Sequence, residues 1–255
     1  MEIVDLSHAL DSESMSIYPG DPPYSCCPAL TIDKDGCNVQ TISLSSHSGT
    51  HIDSPFHFFK SGHTVDEIPL DRFIGPAMVI DLTNLTQRQP ITWDLLSPYE
   101  QALHQAANRK AILLLRTDWS RHWGTDLYFS HPYLDKHAAQ RITDIGFRFV
   151  GIDALSPDET HVSVSPPPPQ DESCNPASES ELQTVSELQG DGGDNTGGYP
   201  AHNVILGSGG LIAENLNNLS AIQSGEWFVS LVPLKLAGSD GSPVRAYAYR
   251  CTPQS

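Results

Sequence analysis

Basic side chains are scarce in this sequence, and that scarcity excludes several classes of partner. Lys and Arg number 14 against 31 Asp and Glu, which gives a formal net charge of -17 at pH 7. A chain this acidic repels the phosphate backbone of nucleic acids and the headgroups of anionic lipids. The sequence also lacks an apolar run long enough to span a bilayer. We therefore expect a small molecule as the partner, and neither nucleic acid nor a membrane.

A targeting segment and recognisable cysteine motifs are also missing. The first eight residues contain no basic start followed by an apolar run, which is the pattern of a secretory signal. The five cysteines match the spacing of neither a zinc knuckle nor a redox pair. An odd number of cysteines in a chain without a signal is typical of reduced thiols. These features predict a cytoplasmic protein.

Short apolar runs bounded by turn residues recur along the chain and predict β-strands. Residues 111–115 and 147–152 are nearly continuous apolar runs, as expected of strands covered on both faces. Helical patterns are fewer, and they cover residues 92–107, with a break near Pro98, and residues 135–145. Because strands outnumber helices, the sequence predicts an α/β fold with a large β component. The other predicted elements are strands at residues 3–6, 41–44, 78–82, 227–232 and 245–249, and a short helical turn at 219–222.

Residues 159–199 differ from the rest of the chain in composition. They contain four consecutive prolines and eight acidic residues but no Lys or Arg, and they end in a Gly-rich stretch. This composition is typical of a disordered or loosely ordered segment. We therefore predict a single domain spanning residues 1–255, with 159–199 as a flexible, acidic, low-complexity insertion.

Residues 47–57 carry the most informative pattern, because three histidines and one aspartate fall within eleven positions. The glycine and the proline in this run disfavour a helix. In an extended chain, His51, Asp53 and His57 share one face, and His47 reaches the same point if the chain turns at the intervening glycine. Imidazole and carboxylate groups are suitable ligands for zinc or another first-row divalent ion. The run therefore predicts a metal or catalytic site.

A second pair of candidate residues, His202 and Glu214, lies beyond the acidic segment. A lone histidine beside an apolar run is more often structural than functional, and Glu214 also fits a solvated position on a helix. The residues alone leave both interpretations open.

The run at residues 47–57 resembles the HxGTHxDxPxH signature of the cyclase family of metal-dependent hydrolases. That family includes bacterial kynurenine formamidase and isatin hydrolase. The resemblance covers nearly the whole chain apart from the acidic segment. Further segments resemble the family in the same order, at residues 5–8, 18–21, 115–119, 131–134, 151–158, 233–236 and 240–246.

The resemblance implies a swivelling β/β/α fold and the metal-dependent opening of an amide or similar bond. It places the first ion on His47, His51 and Asp53. Asp53 would bridge to a second ion held by His202 and Glu214. Zinc is the expected metal, with manganese as the alternative and one or two ions per chain. The resemblance also implies a homo-oligomer, either a dimer or a tetramer.

Two further roles follow from the resemblance. His57 is expected to be the general acid and base. Tyr18 stands where kynurenine formamidase carries a tryptophan that packs against the substrate, so Tyr18 is expected to bind the substrate, and the departure leaves the exact substrate open.

The predicted function is that of an amidohydrolase that opens a small amide with a metal-activated water. The expected substrate is an arylformamide like N-formylkynurenine, which would place the enzyme in tryptophan catabolism, or a cyclic amide. One alternative is a cyclase, lactonase or dehydratase of small-molecule biosynthesis that uses the same metal site. The other is a non-catalytic metal-binding protein, against which the presence of His57 beside the ligand residues argues.

Overall fold

The computed structural model describes residues 1–161 and 198–251, and a nine-stranded sheet organises them. The strands are β1 (Glu2–Asp5), β2 (Ser25–Leu30), β3 (Val39–Ser43), β4 (His51–Asp53), β5 (Ile74–Asp81), β6 (Pro90–Ile91), β7 (Ile112–Arg116), β8 (Tyr133–Leu134), β9 (Phe149–Ile152), β10 (Leu211–Glu214), β11 (Phe228–Ser230), β12 (Gly241–Pro243) and β13 (Tyr247–Arg250). The α-helices are α1 (Ile32–Asp35), α2 (Trp93–Leu96), α3 (Glu100–Asn108), α4 (Lys136–Ile145) and α5 (Pro200–Gly207). Short 3-10 helices cover Pro55–His57, Val65–Glu67, Leu70–Arg72, Ser97–Tyr99, Trp119–His122, Asp126–Ser130 and Leu219–Ile222.

The large sheet has a parallel centre and antiparallel flanks. Its strand order is β1-β13-β11-β5-β7-β9-β10-β4-β12. The neighbours from β5 to β10 run parallel, whereas every pair outside that group runs antiparallel. Two small sheets pair β2 with β3 and β6 with β8. The predicted α/β class with a large β component is confirmed.

The central strands are apolar because the sheet is covered on both faces. Along β7, Leu113 and Leu115 belong to one buried cluster, which also takes in buried residues of helices α3, α4 and α5. Ile112 and Leu114 point to the opposite face and belong to a second cluster. Each such side chain contributes about 1.5–3 kcal/mol when it is fully buried. This two-sided burial explains why the strand reads as a continuous apolar run.

Helix α4 begins and ends where its sequence predicts. Asp135 caps its start, because the carboxylate accepts a hydrogen bond from the Ala138 amide at 2.6 Å. Gly146 ends the helix in the left-handed conformation with φ 117°, which glycine adopts without a steric penalty.

The hairpin formed by β2 and β3, which we call the β2–β3 arm, differs from the rest of the fold because almost none of it is buried. All of β3 is exposed, and so is all of β2 except one half-buried position. Apolar side chains on the arm and its connection lie in solvent, with Ile42 56% and Ile32 61% exposed.

Several elements depart from the sequence-based predictions. Helix α5 was not predicted, because it is apolar on most sides and therefore lacks a helical periodicity. His57 arrives on a 3-10 turn rather than on an extended chain. Most of the predicted insertion at 159–199 lies outside the described residues. Cys27 is disulfide-bonded, contrary to the expectation of reduced thiols, whereas Cys26, Cys37 and Cys251 are free.

None of the described helices is both long enough and apolar enough to cross a membrane.

Candidate active site

Strand register brings three of the candidate residues onto one face of the large sheet. His51 and Asp53 are two residues apart in β4, so their side chains point the same way. Glu214 ends β10 and lies directly opposite His51 in the antiparallel ladder. All three side chains are buried. The sheet therefore places one imidazole and two carboxylates together where β4 and β10 pair.

His47 reaches the same place through the turn that the glycine in its motif predicts. Gly49 adopts φ 64°, which favours glycine, and a Cβ atom there would collide with the side chain of Leu10. After this reversal, Nδ1 of His47 lies 2.8 Å from Oδ1 of Asp53. The local turn thus joins the first histidine of the run to the aspartate six residues later.

The ring of His51 is oriented by a backbone carbonyl. Its Nδ1 lies 2.8 Å from the Gly49 carbonyl oxygen and donates to it. Nε2 then faces the carboxylates, at 3.2 Å from Oε2 of Glu214 and 3.4 Å from Oδ1 of Asp53. Because Nδ1 carries the proton, Nε2 is the nitrogen available to bind a cation.

His202 is positioned by a buried aspartate that the sequence analysis did not assign. Asp158 accepts hydrogen bonds from the amides of Ala201 and His202 at 2.7 and 3.0 Å, and from Nδ1 of His202 at 2.7 Å. Nε2 of His202 is thereby directed at Oδ2 of Asp53, 3.5 Å away, and at Oε1 of Glu214, 3.3 Å away. Asp158 therefore fixes both the start of α5 and the direction of its histidine.

His57 lies at the partly exposed side of this group. Its Nδ1 is 3.1 Å from Oδ2 of Asp240, and Nε2 of His47 is 2.9 Å from the same oxygen. The rings of His47 and His57 lie 4.2 Å apart between centroids. The structure thus brings all six of the predicted metal-binding and acid–base residues into one cluster.

Three polar atoms in the cluster test whether a cation fits there. Nε2 of His51, Oδ2 of Asp53 and Oε1 of Glu214 are buried, and within the described residues none of them has a hydrogen-bond partner. Leaving such an atom unpaired costs about 1–3 kcal/mol, more if it is charged. The three groups can also bring one ligand atom each to within 4.8 Å of one another, as can His47, Asp53 and His57. This donor set suits a divalent first-row metal.

The charges of the cluster are strongly coupled. Burial lowers the pKa of His47, but hydrogen bonds to Asp240 and Asp53 outweigh it and raise that pKa to about 9. Burial also lowers the pKa of His51 and His202, but nearby carboxylates outweigh it and raise both pKa values. Asp53 and Glu214 act on both histidines, and Asp158 acts on His202 as well. The pocket therefore stabilises positive charge.

Tyr18 lies near the cluster among other aromatic side chains. Its hydroxyl is 3.3 Å from the hydroxyl of Tyr199, and its pKa is raised by burial, by that hydrogen bond and by the nearby carboxylate of Glu214. Phe58 stacks on the ring of His202 at 4.9 Å and meets Tyr199 edge-on at 5.4 Å. Phe58 and Tyr199 therefore both pack against the ring of His202.

Sequence reasoning did not assign a role to Asp158, Asp240 or Tyr199. The first two fall inside segments that resemble the family, at residues 151–158 and 240–246, but no local pattern indicates which histidine each contacts. Tyr199 falls at the end of the stretch that was predicted to be an insertion.

Comparison with known proteins agrees with this geometry. The Cyclase family model, described as "Putative cyclase", matches residues 4–159. A kynurenine formamidase of Geobacillus thermodenitrificans strain NG80-2 is 31% identical over 244 residues, covering 95% of each chain.

Solved structures show the same fold. Isatin hydrolase A from Ralstonia solanacearum superposes with a TM-score of 0.75 at 24% identity, covering 97% of this chain and 91% of the other. Isatin hydrolase A from Labrenzia aggregata, bound to benzyl benzoate, gives a TM-score of 0.73 at 25% identity, with 97% and 93% coverage. The chain therefore belongs to the cyclase family of metal-dependent hydrolases, as its histidine-rich run predicts.

Proposed function

We propose that this protein hydrolyses the C–N bond of a small amide, either an arylformamide like N-formylkynurenine or a cyclic amide. The observation that carries the proposal is the group of buried, unpaired donor atoms on His51, Asp53 and Glu214, with His57 beside it. A kynurenine formamidase relative that aligns with almost the entire chain supports the choice of an amide.

The family resemblance and the clustering of these side chains together support an assignment of the metal ligands. We assign one ion to His47, His51 and Asp53, and a second to Asp53, His202 and Glu214. Imidazole and carboxylate donors suit zinc, which we expect, and manganese, which is the alternative. When bound, such an ion lowers the pKa of water and polarises a carbonyl group.

The chain's own contribution to the reaction is proton transfer by His57. Nδ1 of its ring is engaged by Asp240, so Nε2 is the nitrogen free to exchange protons. In the proposed reaction, Nε2 takes a proton from water while the water oxygen bonds to the amide carbon. Nε2 of His57 then returns the proton to the amide nitrogen as the C–N bond breaks. A formamide would yield formate and an amine, and a cyclic amide would open to an amino acid.

The aromatic side chains near His202 favour an aromatic substrate. Phe58 and Tyr199 pack edge-on against each other beside His202, and the hydroxyl of Tyr18 pairs with that of Tyr199. Aromatic rings pack against one another in edge-on or offset arrangements worth about 0.5–1.5 kcal/mol beyond simple burial. We assign Tyr18 to substrate binding on this basis.

A substrate panel tests the proposal directly. The purified protein is depleted of metal with a chelator, reloaded with zinc or manganese, and assayed with N-formylkynurenine, isatin and a set of lactones. We expect turnover of at least one of the two amides that depends on metal. Turnover of the lactones alone would favour the cyclase or lactonase alternative. A metal-loaded protein that is inert towards the whole panel would favour a non-catalytic role.

We also propose that the protein is a cytoplasmic homo-oligomer in which the β2–β3 arm packs against a second copy. An isolated two-stranded hairpin is at best marginally stable in water, so its exposed apolar side chains favour burial against a partner. Light scattering should give a dimer or tetramer for the native chain. Ile42→Lys should shift it towards the monomer, whereas Ile74→Lys, at a similarly exposed position outside the arm, should not.

The proposed cytoplasmic location is a separate question. Fractionation of cells that make the protein tests that location.

A further inference from the structure

Asp240 is held in place next to His57 by its own backbone. It directly precedes β12, and its carbonyl oxygen accepts hydrogen bonds from the amide and the hydroxyl of Ser54 at 2.8 and 2.9 Å. Ser54 follows Asp53 and immediately precedes the 3-10 turn that carries His57. The two segments are therefore locked together, and the carboxylate of Asp240 has a defined position relative to the imidazole.

One carboxylate oxygen serves two histidines. Oδ2 of Asp240 lies 3.1 Å from Nδ1 of His57 and 2.9 Å from Nε2 of His47. A carboxylate can only accept hydrogen bonds, so each of these nitrogens must carry a proton. Nε2 of His57 is then the nitrogen that can receive a proton. Nδ1 of His47 faces the Asp53 carboxylate at 2.8 Å and therefore also carries a proton, which a bound cation would replace.

We propose that Asp240 is a positioning residue that selects the Nδ1–H tautomer of His57 and so leaves Nε2 free to act as the base. This inference rests on the proposed role of His57. The same contact directs Nδ1 of His47 towards Asp53. Asp240 thus links the acid–base histidine to the predicted metal ligand without contacting the reacting atoms.

Kinetics of Asp240→Asn provide the first test. Measured at saturating metal with whichever amide is turned over, kcat should fall by about 100-fold or more while KM changes by less than about threefold. The asparagine amide can donate to Nδ1 and so favour the wrong tautomer. Asp66→Asn is the matched control, because Asp66 is a half-buried carboxylate that accepts a hydrogen bond from the amide of Gly238, two residues before Asp240. An unchanged kcat in Asp240→Asn would overturn the proposal.

A double-variant cycle separates positioning from a general structural effect. If Asp240 acts through His57, then Asp240→Asn should cost little or nothing further in a His57→Ala background. Losses that multiply in the double variant would show that Asp240 acts independently of His57. Metal content is measured for all four proteins, because Asp240 also touches His47 and its loss could weaken metal binding by about 10- to 100-fold.

Nitrogen-15 NMR of histidine-labelled, unmodified protein tests the tautomer without any activity. His57 is identified by the signals that disappear in His57→Gln. We expect a protonated Nδ1 and an unprotonated Nε2 in the neutral ring, and the opposite tautomer would overturn the proposal. Because the tautomer is measured in the unmodified protein, this test remains valid even if Asp240→Asn fails to fold. It also separates failure of the positioning role from failure of the proposed reaction, since a correct tautomer in an inactive protein would count against the reaction alone.

Discussion

Buried histidines behave in opposite ways in two regions of this protein. His8 stacks on Trp123 with ring centroids 4.3 Å apart, and burial lowers its pKa to about 4. Burial also lowers the pKa of His131, whose ring nitrogens face the Pro132 carbonyl and the Thr160 hydroxyl. In the candidate active site, by contrast, the side chain of His47 is only 14% exposed, yet its pKa is raised.

The difference lies in the carboxylates rather than in the depth of burial. Burial disfavours the charged imidazole in both regions, but in the active site Asp53, Glu214, Asp158 and Asp240 supply negative charge within hydrogen-bond reach. A pocket that holds protons on buried histidines also favours a divalent cation in their place. Metal binding should therefore release protons and weaken as the pH falls.

Asp53→Asn should have the largest effect on the histidines of the active site. Asp53 faces His47, His51 and His202, so its loss removes the charge that all three histidines share. We expect metal to be lost and turnover to fall by more than about a thousandfold, because an acid–base step alone contributes about 10²–10⁴-fold. Elemental analysis and the amide assay measure both effects. Asp71→Asn, on the surface, serves as the control, and a metal-loaded, active Asp53→Asn protein would refute the shared-ligand role.

His57→Ala should separate proton transfer from metal binding. Turnover should fall by about 100-fold or more, because the acid–base group is lost, while the metal content stays at the unmodified level. His63→Ala is a suitable control, since the His63 side chain is 77% exposed and its Nδ1 lies 3.4 Å from Oε2 of Glu67. If the His57→Ala protein is instead purified without metal, His57 is a required metal ligand.

Glu214→Gln should reveal how many ions the pocket holds. Glu214 lies between His51 and His202, with one oxygen towards each. In a two-metal site, the glutamine should remove one ion and leave the ion at His47, His51 and Asp53 in place. Metal stoichiometry per folded chain measures this, with Glu226→Gln at an exposed position as the control. A native protein that saturates at one ion, unchanged in the Gln variant, would contradict the two-metal assignment.

The smallest effect concerns the region outside the site. Because the folded-state pKa of His8 is about 4, the unfolded chain binds a proton below about pH 6.5 that the folded protein does not bind until about pH 4. Stability should therefore be fully present above pH 6.5 and fall by about 3 kcal/mol as the pH drops through this window, because each pKa unit corresponds to about 1.4 kcal/mol. His8→Phe, which retains the ring, should flatten the dependence. Denaturant unfolding at several pH values measures it, and an equally steep fall in the variant would assign the dependence elsewhere.

Local patterns predicted the parts of the structure that depend on neighbours in sequence. The strand at Ile112–Arg116 follows from its apolar run, and helix α4 follows from its cap residues and its periodicity. The four candidate residues of the 47–57 run meet because a strand and a turn bring them together over a few positions.

The site residues that the sequence could not predict depend on contacts between distant segments. Asp240 reaches His57 across 183 positions, and Asp158 reaches His202 across 44. Neither carboxylate stands out locally, because aspartate is common in turns and most such residues are solvated. The residues around Glu214 indicate little about its role, because it is the antiparallel register of β10 and β4 that brings it opposite His51.

Asp158 fixes the direction of His202 through contacts that span a long stretch of sequence. Its carboxylate accepts hydrogen bonds from the amides of Ala201 and His202, which are 43 and 44 positions away. His202 is therefore directed at Asp53 and Glu214 whatever the length of the chain between residues 158 and 201. We expect insertions or deletions inside that interval to leave the direction of His202 unchanged.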